Sequence, residues 1–459
     1  MIQVTRDGGK NWQNVTPPEL TPWSKLAQMD ASHFDTATAY AAVSRFRIDD
    51  LHPYVYRTHD GGKSWQKVVS GLPENEPVNT VREDPERKGL LFAGTERTVY
   101  VSWDDGDRWQ SLQMNLPPSS IRDLVVHHDD IVVGTHGRSF WILDNITPLR
   151  QLSPEIARDP AHLFAPQLTY RVRRNNNTDT PLPPEEPAGQ NPPDGAMIDY
   201  FLNSTMSTSI PVTLEIVDSA SGKVVRHFSS ADKPEPVDAM KLNVPMYWVR
   251  PARVLSAAPG MHRFVWNLHY HEPDTLDHSY PISAIYHDTP RYPLGAAVLL
   301  GHYKVVLTVA GKSYTQPLEI RMDPRVKTSP EELRRQFELD RKIAAALHQD
   351  YEALQQVRGL SAKLESFASA PDAIKKAAAE LKEKAATLGG GEAGFGARPL
   401  NTPQGRSLSR LNSAFSTIVS GLDNADAAPT TQQVAAFGEL DKALEEQLVA
   451  CLLYTSRCV

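Results

Sequence analysis

At 459 residues the chain is too long for one compact core, and a density of about one domain per 150 residues predicts three. Its 40% apolar and 22% charged residues are those of an ordinary globular protein, and a net charge of −7 argues against a nucleic-acid partner, which would favour a basic face. The longest apolar runs, such as LGAAVLLG at 294–301, fall far short of the roughly 20 residues of a bilayer-spanning helix, so no membrane span is expected.

The opening MIQVTRDGGK has no charged-then-apolar export signal and enters directly into a repeat, which reads as a missing upstream portion. That repeat is a Ser/Thr-x-Asp-x-Gly-x-x-Trp box. It occurs as Thr5, Asp7, Gly9, Trp12, then as Thr58, Asp60, Gly62, Trp65, and again as Ser102, Asp104, Gly106, Trp109. The starts lie 53 and 44 residues apart, near the length of a four-stranded propeller blade. Each box stands between short β-rich runs and is therefore predicted on a hairpin turn. There the Asp accepts backbone N–H groups, the hydroxyl bonds locally, the Gly tolerates positive φ, and the Trp packs as an apolar plate. These roles are structural.

Blades parse around the boxes. Residues 1–14 supply the last two strands of one. Strands near 26–29, 39–43, 54–58 and 65–69 make the second, and those near 78–82, 91–94, 98–102 and 109–112 the third. A last unit at 121–145 has three strands and no box. The total is three to four blades. The boxes resemble the Asp-box, or BNR, repeat of sialidases and sortilin-type sorting receptors, in which the box lies on the blade periphery, away from catalysis.

The segment GTHGRSFWILDN at 134–145 is the most site-like stretch here, and GTER at 94–97 is its counterpart one blade earlier. These Gly-Thr turns, Gly-Thr-x-Arg at 94–97 and Gly-Thr-x-x-Arg at 134–138, would direct Arg97 and Arg138 to one rim, with His136 beside them, where paired guanidiniums grip a carboxylate. Arg97, His136 and Arg138 are the ligand-binding candidates. No residue is assigned a catalytic role.

Composition shifts after 150. The run 173–195 is polar and Pro-rich, an extended loop. Alternation then returns. Val212, Leu214 and Ile216 share a face, as do Phe264, Trp266, Leu268 and Tyr270, and Tyr303, Val305, Leu307 and Val309, with a hairpin turn at 219–223. An Ig-like β-sandwich is predicted over 151–327. His262, His269, His271, His278, His287 and His302 cluster here, yet no third ligand is set by spacing, and neither metal nor cofactor is expected.

From 328 to 450 the pattern is helical. Ser329, Pro330 and Glu332 form a helix-start signal ahead of a stripe of Leu333, Phe337, Ala344, Leu347, Tyr351 and Leu354. A second helix follows Pro371 with Ile374, Ala378, Leu381, Ala385 and Leu388, and the Gly-rich run 389–397 ends it. Leu408, Leu411, Phe415, Ile418 and Leu422 mark a third. Thr430 with Gln433 caps a fourth. An antiparallel bundle is predicted. Both cysteines, Cys451 and Cys458, stand in the final CLLYTSRCV, where the helical pattern is expected to break; residues 451–459 read as a non-native tail.

Taken together, residues 1–450 resemble the C-terminal part of large bacterial proteins with a sortilin-like BNR propeller, often labelled glycosyl hydrolases. The three boxes, GTHGRSFWILDN, NPPDGAMIDYFL and GMHRFVWNL carry the resemblance. It implies an exported protein, secreted or periplasmic. Two functions follow: a binding scaffold whose propeller engages a peptide, protein or glycan, or a glycosidase of sialidase type whose catalytic residues lie largely in upstream blades. Sialidases resembling this repeat use three arginines, a Tyr–Glu pair and an aspartic acid, a set not assembled by any motif here. The binding scaffold is the reading preferred.

Overall fold

The computed structural model describes residues 1–173, 189–203, 210–276, 278–281, 287–390 and 405–456, with Pro183, Glu185, Glu186, Ile285, Leu400 and Thr402. The chain divides into two compact units, Met1–Arg158 and Asp159–Val459.

The first unit is a partial β-propeller of small antiparallel sheets, each formed by strands adjacent in sequence. β1 (Gln3–Val4) pairs with β2 (Gln13–Asn14). The second sheet runs β3 (Lys25–Ala31), β4 (Ala39–Ser44), β5 (Val55–Thr58) and β6 (Gln66–Lys67). The third runs β7 (Val78–Glu83), β8 (Leu91–Thr95), β9 (Val99–Ser102) and β10 (Gln110–Ser111), and the fourth β11 (Ile121–His127), β12 (Asp130–Thr135) and β13 (Phe140–Leu143). A short helix, α1 (Thr147–Gln151), follows. Inner strands of the second and third sheets are apolar on both faces because each of these sheets is sandwiched between two others. In β4, Ala41 and Val43 join Ile2 and Val15 in one core, while Tyr40 and Ala42 join Val78, Val81 and Leu91 in the next. Phe92 and Val101 of the third sheet turn the other way, onto Ile121, Leu124 and Ile131. Face-to-face stacking of this kind is propeller packing.

The second unit begins with a β-sandwich. One sheet is β14 (Ala161–Leu163), β16 (Ala196–Leu202) and β19 (Gly260–Trp266) in that order. The other is ordered β15 (Thr169–Arg171), β21 (Lys312–Met322), β20 (Gly301–Val309), β17 (Thr213–Asp218) and β18 (Val224–Ser229), with β15 parallel to β21. A single core joins the two sheets through Ile198, Tyr200, Phe264 and Trp266 on one side and Leu214, Ile216, Val305 and Leu307 on the other. The expected alternation holds in β17 and β20. In β19 it stops at Trp266, because Leu268 takes a φ of 60° and turns the chain out of the sheet, although its side chain stays buried.

Four helices complete the unit: α2 (Pro330–Glu365), α3 (Asp372–Gly389), α4 (Leu408–Leu422) and α5 (Thr431–Ser456). The Ser329–Glu332 capping box starts α2, and Thr430 and Gln433 exchange the same kind of bonds before α5. Their core gathers Ile343, Leu347, Leu354, Leu411, Phe415 and Leu444. Two expectations differ. Ile374 is exposed, because only the C-terminal end of α3 reaches this core. Helix α5 also does not break at 450: it continues to Ser456, and Cys451 is buried among the apolar residues of the bundle. Cys458 and most of the Pro-rich run lie outside the described residues. Among those described, no helix is long and apolar enough to cross a membrane.

Candidate functional site

The three boxes build the same turn. In the second, Thr58 Oγ1 donates to Asp60 Oδ1 at 2.9 Å and accepts from Gly62 N at 3.0 Å. Ser64 supplies its N–H and hydroxyl to the two Asp60 oxygens at 2.9 and 2.6 Å. The first box repeats this with Thr5, Asp7, Gly9 and Asn11, and the third with Ser102, Asp104, Gly106 and Arg108 N. A carboxylate that only accepts is stabilised in its ionised form. Bonds from Asn11 hold Asp7 down at about 2, and those from Ser64 hold Asp60 at about 2. Asp7 and Asp60, held ionised in this way, have no proton to donate at neutral pH and serve to tie the turn together.

The same boxes tie each sheet to the one before it. Trp65 Nε1 donates to Val15 O at 2.7 Å, and Trp109 Nε1 donates to Val68 O at 3.0 Å. Val15 and Val68 each stand three residues after the preceding box Trp. Gly62 and Gly106, at φ 85° and 91°, let the turn lie against those valines; a Cβ on Gly62 would stand 2.6 Å from Val15 Cβ. Trp12 is 58% exposed and donates within its own turn, to Gly9 O at 3.0 Å.

Turns of an antiparallel sheet alternate between its two edges, so β8–β9 and β12–β13 lie on the edge opposite the boxes. In the first, Thr95 Oγ1 accepts from Arg97 N at 3.2 Å and Thr98 N at 3.1 Å. In the second, Thr135 Oγ1 accepts from Arg138 N at 3.1 Å and donates to Ser139 O at 2.6 Å. Each Gly-Thr turn is closed by its threonine, the second being one residue longer than the first, and the two are linked. Arg122 Nη1 lies 3.2 Å from Glu96 Oε1, and Arg122 Nη2 donates to His136 Nδ1 at 3.0 Å. His136 N also bonds Ser120 O, and Ser119 N bonds Arg97 O. Burial pushes the Glu96 carboxyl up, but bonds from Ser120 and Asn79 and the charge of Arg122 outweigh it and hold the group below its ordinary range. Arg97, His136 and Arg138 are all exposed. The guanidiniums of Arg97 and Arg138 make no hydrogen bond or ion pair among the described residues. Sequence reasoning missed Glu96 and Arg122, which join the turns.

A Tyr–Glu pair does exist, on the other edge. Tyr40 Oη lies 3.4 Å from Glu83 Oε1 and 2.5 Å from Asp105 Oδ1, and Asp105 is also held by Arg57 and His59 at 3.0 and 2.9 Å. Burial and the Asp105 contact push the Tyr40 hydroxyl well above its ordinary range. Such a tyrosine stays protonated and braces two sheets; it is no nucleophile.

In the second unit the histidines scatter. His269 reaches Asp423 Oδ1 at 3.5 Å, while His271 turns to Glu272 O. Asp274 pairs with His348 and Asp288 with Arg250; Asp277 lies outside the described residues. No group of three metal-ligating side chains occurs among the described residues.

Stacked antiparallel blades tied by tryptophan define the class: a β-propeller, here followed by a sandwich and a helical bundle. Residues 53–135, which span the second box, the third and the first Gly-Thr turn but end before His136 and Arg138, match the family model described as Sortilin-Vps10 (sortilin, neurotensin receptor 3). The chain is 31% identical over 67 residues to a vacuolar protein sorting/targeting protein 10 of Pyrenophora tritici-repentis (strain Pt-1C-BFP), covering 14% of this chain and 4% of that one. It is 30% identical over 78 residues to the protein of the same name from Pyrenophora teres f. teres (strain 0-1), covering 17% and 5%. The chain therefore spans about a twentieth of the length of these relatives. Similar solved structures include YCF48 bound to D1 peptide (TM-score 0.24, 15% identity, 50% of this chain and 60% of that). Another is the GH74 enzyme of Niastella koreensis (0.22, 11%, 45% and 30%). A third is an ancestral GH74 enzyme (0.25, 11%, 69% and 38%).

Proposed function

We propose that the first unit is a binding scaffold, and that the blade edge opposite the boxes grips an acidic group of a peptide or protein ligand through Arg97 and Arg138, with His136 between them. The observation that carries this reading is the pair of threonine-closed turns, linked through Glu96–Arg122–His136, whose guanidiniums have no partner among the described residues. Arg122 donates to His136 Nδ1, which leaves the ring hydrogen on Nε2 as a further donor. Free guanidiniums on rigid turns suit bidentate capture of a carboxylate. The family match over 53–135, to a family named for sorting receptors, is consistent with protein or peptide ligands. Glycosidase chemistry of sialidase type has less support, since the buried Tyr40–Glu83 pair and the two arginines lie on opposite edges.

The test is a peptide array probed with the full chain, run beside a glycan array and fluorogenic glycosides. Binding of acidic peptides that falls about tenfold or more in Arg97→Ala and Arg138→Ala, with no turnover of glycosides, supports the scaffold. Binding indifferent to both substitutions overturns the site. Glycoside turnover abolished by Arg138→Ala overturns the reading in favour of the enzyme.

A further inference from the structure

The second unit contains a cleft of about 1350 Å³ between the edge strand β15, the loops after β19 and one face of α4. That exceeds the roughly 300–1000 Å³ of a site for one drug-sized molecule, so an oligomeric ligand fits its size. Its chemistry is more specific. Helix α4 and the residues just beyond it turn Asn412, Ser413, Ser416, Thr417, Ser420 and Asn424 toward the cleft, a wall of hydroxyls and amides. Ser413 and Thr417 spend their hydrogens on backbone carbonyls four residues back, so their oxygens remain as acceptors, while Ser416 Oγ bonds both Asn412 O and, at 2.9 Å, Thr275 Oγ1.

The charges among the described lining residues cancel, with Arg171, Arg173 and Arg250 against Asp194, Asp288 and Asp423. They are already paired. Arg173 meets Asp423 at 2.9 Å, Arg250 meets Asp194 and Asp288 at 2.9 and 2.8 Å, and Arg171 meets Asp426 behind the wall at 2.5 Å. A charged ligand would have to break one of these pairs or remain uncompensated, and both are costly. A neutral ligand rich in hydroxyls finds carboxylate and hydroxyl acceptors beside fixed N–H donors. Arg171 is 6% exposed, lines the cleft, and its Nε has no hydrogen-bond partner among the described residues. A buried donor of that kind is costly to leave unmet. Proline and leucine surfaces at Pro293 and Leu294 supply the apolar contact that a sugar ring's C–H face needs.

We propose that this cleft binds a neutral oligosaccharide. It is a second site, independent of the peptide-binding reading of the propeller.

Isothermal titration calorimetry of the full chain tests this with cellotetraose, xylotetraose, maltotetraose and mannotetraose, using tetragalacturonate and tetra-alanine as charged and peptidic comparators. The expected result is saturable binding of at least one neutral tetrasaccharide, weakened about tenfold or more by Ser416→Trp and unchanged by Arg97→Ala. Thr417→Trp, at an exposed position on the same wall, gives the same loss if Ser416→Trp does not fold. No binding by any of the four, binding indifferent to the tryptophans, or preference for tetragalacturonate or tetra-alanine overturns the proposal.

Discussion

Asp60 and Gly62 show how much of the box acts within a few residues. Asp60 sits at about 2 in the folded chain, against an ordinary 3.8, so the stability it contributes is fully present above about pH 4. It is lost as pH falls through the folded value. Asp60→Asn should therefore flatten the acid limb of the propeller unit's denaturation profile between pH 4 and 2, followed by circular dichroism. Gly62→Ala should cost about 1–3 kcal/mol in urea denaturation, since it adds a methyl against Val15 at a positive φ. Gly222→Ala, also at positive φ but in open space, should cost less. The boxes were legible in the sequence because every side-chain bond to the Asp falls within four residues. Arg122 was not, because its partners Glu96 and His136 lie 26 and 14 residues away and no local pattern marks them.

At the scale of the element, α2 carries two buried acids that helical periodicity does not forecast. Burial pushes both Asp340 and Asp350 up to about 7, with Asp423 adding to the shift of Asp340. Asp350 lies in the bundle core and accepts from Asn412 Nδ2 at 2.9 Å, while one oxygen of each acid has no partner. A raised folded value means the native state holds these protons more tightly than the unfolded chain. These two acids therefore contribute stability to the helical part that is fully present below about pH 4 and is lost as pH rises toward 7, by an amount on the order of a few kcal/mol. Thermal melts at pH 5 and pH 8 should show the lower midpoint at pH 8, and Asp350→Asn should narrow the gap. An unchanged gap in that variant would assign the pH dependence elsewhere. The helices themselves were legible because caps and apolar stripes are local signals. The buried acids were not, since Asn412 stands 62 residues from Asp350.

For the molecule as a whole, the two compact units predict two unfolding transitions in calorimetry, and trypsin acting first near Arg158. One merged transition would contradict that division. The blade order was legible because each sheet is made of neighbours in sequence. The cleft beside α4 was not, since it joins residues more than 200 positions apart. The second and third boxes hold successive blades together, on the edge opposite the Gly-Thr turns. Urea unfolding of Trp109→Phe beside Trp12→Phe tests it most directly, because each change deletes the indole donor and trims the apolar plate, at one tryptophan that reaches the preceding sheet and at one that does not. Loss of the buried bond to Val68 O should cost about 1–3 kcal/mol in the first, and the exposed, self-bonded Trp12 should cost almost nothing. Equal costs, or a larger one at Trp12, would contradict it.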